Sequence, residues 1–241
     1  MMYGDFAYIY DKLMYDLDYE KIYEFIMATL DKNNLEPSNV LEMAVGTGNL
    51  TKKIIKHFKV DGFDLSTDML SVCQNKINSR NLRLFQQNMV DFKAPSSYDA
   101  IFCVGDSLNY ILDKRDVYSA LKSSFNYLND GGIFICDFNT MYKFKSIPSV
   151  TVDEVDDIFY VWENIFDEDS HINTYGVNFF VEYEEDKYER FYEEHRERAY
   201  TYQEISEMLE EIGFKNIEFF DDYEEKKIDE RTSRYTIVAR R

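Results

Sequence analysis

The chain has 241 residues, of which 45% are hydrophobic, so it can bury a substantial core without disulfides or structural metals. Its formal net charge is −19, from 46 acidic and 27 basic residues. A negative charge of this size repels phosphate backbones, so we expect no nucleic acid as substrate or partner.

The spacing of the cysteines and the hydrophobicity of the chain indicate the cellular compartment in which we expect the protein. Cys73, Cys103 and Cys136 are far apart and form no C-x-x-C pair, which predicts neither a zinc site nor a disulfide framework. No apolar stretch approaches the roughly 18 residues of a membrane-spanning helix, and no basic residue precedes an apolar run near the start. We therefore expect a cytoplasmic protein without a metal, a signal peptide or a membrane anchor.

Apolar periodicity predicts the elements in chain order. Two aromatic-rich helices are expected within residues 1–35, and alternating strands and helices follow. The predicted strands are residues 40–45, 60–65, 82–86, 100–104, 133–137, 217–220 and 235–239; the predicted helices are residues 50–58, 68–77, 116–128 and 202–212. Short apolar strands that alternate with amphipathic helices are typical of parallel strands with crossover helices. The expected fold is a Rossmann-like α/β fold with a doubly wound, mostly parallel, seven-stranded sheet.

Residues 151–198 interrupt this pattern with aromatic, β-prone segments. The window 151–200 holds 16 acidic and 4 basic residues, a balance of −12, so the rest of the chain carries only −7. This change of composition predicts an antiparallel β insertion. We expect one domain built from residues 1–150 and 199–241, with an N-terminal helical lid, and the insertion over it.

A glycine turn follows the first predicted strand. Gly46 and Gly48 allow the backbone to approach a ligand, and the N–H groups that open the next helix point at it. Asp64 ends the next strand, where an acid can accept hydrogen bonds from both hydroxyls of a ribose. The separation of 18 residues between Gly46 and Asp64 is close to the ~20 expected for this pairing.

Three segments in this order resemble the class I S-adenosylmethionine-dependent methyltransferases. Residues 40–51 (VLEMAVGTGNLT) resemble the first motif of that family, residues 60–70 its second-strand segment, and residues 84–92 its adenine-binding segment. Two positions depart from the pattern: Ala44 replaces the usual first glycine, and Asn88 replaces a common aspartate. The similarity extends over residues 1–142 and 199–241, and it implies S-adenosylmethionine as cofactor. The insertion lies outside the similarity, and we expect it to form a cap on the substrate side.

The resemblance also implies a set of binding residues. Glu42 is expected near the amino-acid end of the cofactor, Asp64 at the ribose, Leu65 and Met69 beside the adenine, and Asn88 with the Met89 backbone at the adenine edge. The full expected cofactor-binding set is Tyr10, Glu42, Ala44, Gly46, Gly48, Asp64, Leu65, Met69, Asn88, Met89, Cys103 and Gly105.

The catalytic candidates are less well defined. Methyl transfer from a sulfonium is an in-line displacement, so positioning contributes much of the catalysis, and a base is needed only if the acceptor arrives protonated. Asp106 and Tyr10 are the candidates for base or acceptor contact, and a tyrosine face also suits a cation–π contact with the sulfonium. His195 is a further candidate base, although a strand of alternating charges favours an exposed position for it.

Several alternatives stay open at this level. A nicotinamide-binding Rossmann domain is disfavoured because Thr51 stands where its fingerprint requires a third glycine. The main interpretation is a methyltransferase for an unidentified small molecule. The alternatives are an N-methyltransferase for amino sugars or other amines, and a regulatory protein that binds S-adenosylmethionine without turnover.

Overall fold

The protein is represented by a computed structural model that describes residues 17–185 and 187–241. The helices are α1 (Tyr19–Lys32), α2 (Thr51–Ile54), α3 (Thr67–Lys76), α4 (Lys114–Tyr127), α5 (Met141–Ser146) and α6 (Tyr202–Ile212). The strands are β1 (Asn39–Met43), β2 (Lys59–Asp64), β3 (Leu82–Gln86), β4 (Tyr98–Cys103), β5 (Leu128–Asn139), β6 (Val150–Val155), β7 (Ile158–Asp167), β8 (Ile172–Glu184), β9 (Lys187–Arg198), β10 (Lys215–Asp221) and β11 (Arg234–Arg240). A short 3-10 helix spans Ser107–Tyr110.

Seven of these strands form one sheet in the order β10-β11-β5-β4-β1-β2-β3. Six of these strands run in the same direction, and β11 runs antiparallel to both of its neighbours, β10 and β5. Its central strands are covered on both faces, and Val40, Ile101 and Phe134 are fully buried. The predicted Rossmann-like fold is therefore confirmed, and the carboxyl ends of β1, β2, β4 and β5 lie along one edge, where ligands bind in such folds.

Several predicted boundaries shift in the structure. The helix predicted at residues 50–58 is wrong in length, because α2 ends at Ile54 and turns carry the chain to β2, which begins at Lys59. Strand β5 is longer than predicted, and α5 was not predicted. The helix predicted at residues 202–212 is confirmed: Thr201 forms a capping box with Glu204, and Gly213 ends the helix at a φ of +113°.

Strands β6 to β9 form a separate antiparallel sheet in sequential order. One face carries Tyr160, Tyr175, Val177, Phe179 and Glu197, all buried; we call it the inner face. The other face exposes residues such as Val152, Ile165 and Tyr192. This sheet is the antiparallel insertion that the composition predicted.

No helix within residues 17–185 and 187–241 is long and apolar enough to cross a membrane. The first predicted helix and Tyr10 fall outside the described residues.

Candidate active site

The turn after β1 adopts the left-handed backbone that its glycines permit. Ala44, Gly46 and Gly48 have φ values of +52°, +54° and +83°. A Cβ added to Gly46 would meet no atom within 4 Å, so open space lies beside this residue. At Gly48 it would lie 2.5 Å from the Cys73 sulfur, so this glycine is required for packing of α3. Ala44 holds a conformation that costs an L-residue about 1–2 kcal/mol, which explains why glycine suits its position.

Asp64 joins this turn to the end of β2. Its Oδ2 accepts a hydrogen bond from the Gly46 N–H at 2.9 Å, and its Oδ1 accepts one from the Ser66 N–H at 2.9 Å. A carboxylate offers about four acceptor sites, so both oxygens retain capacity for ribose hydroxyls. Burial raises the pKa of Asp64, and the hydrogen bonds from Ser66 and Gly46 oppose that rise.

A cleft of about 260 Å³ opens at this edge of the sheet. It is lined by Ala44, Phe63, Asp64, Leu65, Gln87, Asn88, Met89, Val90, Tyr110, Ile111, Leu112 and Asp116. The volume approaches the lower end of small-molecule sites, roughly 300 Å³. Leu65 is 66% exposed beside it, an apolar surface that a planar base would cover. The open side of Gly46, the Asp64 carboxylate and this lining together fit a nucleoside cofactor.

The predicted cofactor residues divide into two groups. Ala44, Asp64, Leu65, Asn88 and Met89 line the cleft, which brings together segments that follow three different strands. The other described candidates, which lie outside that lining, are Glu42, Gly46, Gly48, Met69, Cys103 and Gly105. Tyr10 falls outside the described residues.

Glu42 is buried at the end of β1. The Thr51 hydroxyl donates to its Oε2 at 2.7 Å. Burial raises the pKa of Glu42 to about 8, and the nearby charge of Asp64 adds to the rise, while the Thr51 hydrogen bond opposes it. A neutral Glu42 would become ionised where a positive ligand group lies close to it.

Asp106 belongs to a buried polar network at the ends of β4 and β5. Its Oδ2 accepts hydrogen bonds from Asn139 Nδ2 and Arg234 Nη2, both at 2.9 Å. The Arg234 Nε also lies 3.1 Å from Asp137 Oδ2. The backbone N–H groups of Gly105 and Asp106 donate to Asp137, at 3.2 and 3.0 Å. Burial raises the pKa of Asp137 to about 6, although Arg234 opposes this rise.

Asn139 links this network to the antiparallel sheet. Its Nδ2 also donates to Glu197 Oε2 at 3.1 Å. The Asn109 side chain accepts from the Asn139 N–H at 2.9 Å and donates to the carbonyl oxygens of Asn139 and Arg198, at 3.1 and 2.8 Å. The loop after β4, the end of β5 and the end of β9 therefore share one hydrogen-bonded cluster. We call Asp106, Asn109, Asn139 and Glu197 the junction cluster.

Asn139, Glu197 and Arg234 are not among the site residues predicted from the sequence. Arg234 stands at the start of a predicted strand, and Glu197 stands among alternating charges, so neither had a local signal. Burial raises the pKa of Glu197 to about 8, and the nearby Asp106 adds to this rise. The junction cluster is recognisable only once the three segments are brought together.

His195 lies on the inner face of the antiparallel sheet and is half-buried, contrary to the exposed position that the charge pattern favoured. Its ring meets the Tyr110 ring edge-on, with ring centroids 6.0 Å apart. Tyr110 also lines the cleft. The contact therefore connects the cofactor side of the molecule to the inner face.

Comparisons with known proteins identify the family to which the chain belongs. A family described as "Methyltransferase domain" matches residues 40–132. The putative methyltransferase YqeM of Bacillus subtilis (strain 168) is 34% identical over 220 residues, which cover 89% of this chain and 87% of the relative. A crystal structure of an S-adenosylmethionine-dependent methyltransferase from Clostridium acetobutylicum ATCC 824 superposes with a TM-score of 0.89 at 38% identity, covering 99% of this chain and 98% of that one.

The chain therefore belongs to the methyltransferase family, of the class I type that uses S-adenosylmethionine. It is an enzyme that takes its methyl group from that cofactor and transfers it to a substrate that these similarities leave unidentified. DesVI of Streptomyces venezuelae has the same fold, with a TM-score of 0.81 at 20% identity over 99% of this chain and 98% of that one.

Proposed function

We propose that this enzyme methylates a small-molecule acceptor held between the cofactor cleft and the inner face of the antiparallel sheet. The observation that carries this proposal is the position of Tyr110, which lines the cleft and also contacts His195 on the inner face. A small acceptor at that contact would be close both to the cofactor and to polar groups of the insertion.

The cofactor-binding roles in this proposal are those that the family resemblance implies, and the lining of the cleft by Asp64, Leu65, Asn88 and Met89 supports them. Asp64 binds the ribose hydroxyls, Leu65 covers one face of the adenine, and Asn88 with Met89 contacts the adenine edge. Gly46 leaves room for the amino-acid portion, and Glu42 lies on that side. When bound, the cofactor supplies an electrophilic methyl group, and the chain supplies the alignment of the acceptor with it.

Asp106 has a positioning role in the proposed reaction. Its Oδ2 already accepts hydrogen bonds from Asn139 and Arg234. Through these contacts it holds the loop that carries Tyr110, Ile111 and Leu112 along the cleft wall. Tyr10 stays a sequence-based candidate for contact with the acceptor or the sulfonium.

The charge of the protein supports a small acceptor rather than nucleic acid. The net charge of −19 gives a phosphate backbone no attractive surface on average, and electrostatic attraction supplies most non-specific nucleic-acid affinity. A filter-binding assay with tRNA at low salt tests this directly. Tight binding of tRNA at low salt would indicate that the acceptor is RNA and not a small molecule.

An amine acceptor is the second, more specific candidate. The glycine/sarcosine/dimethylglycine N-methyltransferase of Actinopolyspora halophila is 25% identical over 246 residues, which span 98% of this chain but 41% of that protein. The Glu193 side chain on the inner face would favour a cationic acceptor.

The test of the proposed function combines calorimetry with an acceptor screen. Titration with S-adenosylmethionine, S-adenosylhomocysteine and NADH should give binding of the two sulfur nucleotides only. Panels of amines, hydroxy compounds and carboxylic acids are then screened for release of S-adenosylhomocysteine. Binding of NADH alone, or of none of the three, would contradict the cofactor assignment, and binding without turnover on any panel would support a regulatory protein instead.

A further inference from the structure

One titratable side chain of the inner face stands next to the cofactor cleft. His195 in β9 pairs with Tyr175 in β8, and both side chains point to the inner face. The imidazole contacts the Tyr110 ring edge-on, and Tyr110 is one of the residues that line the cleft. The residue is half-buried on that face.

The carboxylates at the same edge of the large sheet already have donors. Asp64 accepts from two backbone N–H groups, and Glu42 accepts from a hydroxyl. Asp106 accepts from an arginine and an asparagine, and Asp137 is paired with the same arginine. Each of these side chains therefore already takes part in a structural hydrogen bond or ion pair.

The surroundings keep the imidazole neutral at physiological pH. Burial lowers the pKa of His195 below its usual 6.5, while Glu193, two residues away on the same face, raises it in part. The titratable groups beside it are Glu193 and Glu197 of β9, Tyr175 of β8 and Tyr110 of the loop after β4. Asp106, Lys143 of α5 and Arg234 of β11 belong to the adjoining polar network, which Asn139 links to Glu197. A neutral imidazole near pH 7 is a competent proton acceptor.

Building on the proposed methyl transfer to a small acceptor, we propose that His195 is the general base of this reaction and that the acceptor is a primary or secondary amine. The imidazole receives a proton from the ammonium form of the acceptor. The freed nitrogen lone pair then forms a bond to the methyl carbon, and the carbon–sulfur bond breaks with its electron pair remaining on sulfur. The products are a methylated ammonium, neutral S-adenosylhomocysteine and an imidazolium that returns its proton to solvent.

The amine class follows from the strength of the base. An alkyl ammonium has a pKa near 10, so transfer of its proton to an imidazole costs a modest fraction of the barrier. An aliphatic hydroxyl group is a far weaker acid and would require a stronger base, and a phenol, although its pKa is also near 10, lacks the positive charge that Glu193 would attract. The Glu193 carboxylate stabilises both the incoming cation and the imidazolium that forms.

The first test follows the histidine titrations by NMR with two cofactor analogues. The chain has three histidines, so His57 and His171 act as internal controls, and His→Gln variants assign the signals. Sinefungin carries a cationic amine where the methyl group would be, whereas S-adenosylhomocysteine is neutral there. A base that faces the methyl group should titrate at least about half a pH unit lower with sinefungin than with S-adenosylhomocysteine.

Calorimetry on the same samples distinguishes a failure of the cofactor assignment from a failure of the base assignment to His195. If both analogues bind and His195 titrates differently between them, His195 faces the methyl group. If both bind and the His195 titration is the same, the base assignment is wrong while the cofactor assignment stands. If neither analogue binds, the proposed function itself fails.

The second test is kinetic and uses the amine panel. His195→Gln should lower kcat by about 100-fold or more and remove the acidic limb of the pH profile, with little change in cofactor affinity. Added imidazole should restore part of the activity of His195→Ala. His171→Gln, in the turn between β7 and β8, is the matched control. Unchanged kcat in His195→Gln, or turnover of hydroxy acceptors and not of amines, would overturn the proposal.

Discussion

The cofactor edge of the large sheet and the inner face of the antiparallel sheet are built in different ways. At the cofactor edge, contacts form between residues that lie close in sequence, such as Gly46 with Asp64 and Ser66 with Asp64. At the inner face, the contacts join distant segments, such as Asn139 with Glu197 and Asn109 with Arg198. The first kind of site is encoded by local motifs, and the second only by the tertiary fold.

The largest expected effect tests whether buried charges hold the two regions together. Arg234→Met removes the cation that pairs with Asp106 and Asp137, whose side chains are 14% and 0% exposed. Loss of one partner of a buried ion pair costs about 3–5 kcal/mol. Urea denaturation should therefore show a lower free energy of unfolding, with Arg231→Met in the exposed turn before β11 as control. Equal stability of the two variants would contradict a structural role for the network.

The next effect concerns only the cofactor edge. Asp64→Ala should weaken binding of S-adenosylmethionine by about 1.5–3 kcal/mol, or roughly 10- to 150-fold in Kd, because it removes charged hydrogen bonds to the ribose. Calorimetry measures this, and Asp31→Ala on the exposed surface of α1 is the control. An unchanged Kd for Asp64→Ala would remove the ribose assignment.

A third prediction uses pH to probe the junction cluster. The pKa of Glu197 is raised to about 8 in the folded protein, so the folded state binds more protons than the unfolded state between about 4.5 and 8. This contribution to stability is present below about pH 4.5 and is lost as the pH rises through 8. Glu42 contributes in the same direction.

Glu197→Gln should therefore make the decline of Tm between pH 5 and 8 less steep, because an amide does not titrate. Glu194→Gln, on the outer face of the same strand, changes the same charge without burial and is the matched control. If both variants show the same pH dependence as the unmodified chain, Glu197 does not bind its proton in the folded state.

The smallest effect refines the glycine turn. Ala44 has a φ of +52°, so Ala44→Gly removes about 1–2 kcal/mol of backbone strain but gives back about 0.4–1 kcal/mol to the unfolded chain. We expect a net stabilisation of about 0.5–1 kcal/mol with unchanged cofactor affinity. Gly46→Ala should lower both the stability and the cofactor affinity, because alanine is strained at a φ of +54° and its Cβ would enter the open space beside the turn. Destabilisation by Ala44→Gly would show that the turn is not strained.

The sequence predicts the large sheet well because its central strands are buried on both faces. Continuous apolar runs and helical periodicity identify all seven strands, and the residues at the tips of β1 and β2 follow from the turn chemistry between them. The same reasoning locates Asp64, whereas Ala44, Leu65, Asn88 and Met89 come only from the family resemblance; all five line one cleft.

The inner face is harder to predict because both faces of β9 carry charges. Glu193, His195 and Glu197 point inward, whereas Glu194 and Arg196 point outward, so alternation does not reveal which side is covered. Only the register with β8 and the contact with Tyr110 distinguish the faces. A shift of the register between β8 and β9 by one residue would exchange the two faces of β9, and no local sequence pattern indicates which register forms.

We expect the cofactor to lie in the cleft beside Asp64 and the acceptor site to face His195. A crystal structure with S-adenosylhomocysteine bound would test both placements at once. We predict the ribose hydroxyls within hydrogen-bond distance of the Asp64 carboxylate, roughly 2.5–3.0 Å, the adenine between Leu65 and Asn88, and the sulfur directed toward Tyr110 and His195. A cofactor bound elsewhere, or with its sulfur directed away from the antiparallel sheet, would contradict the account.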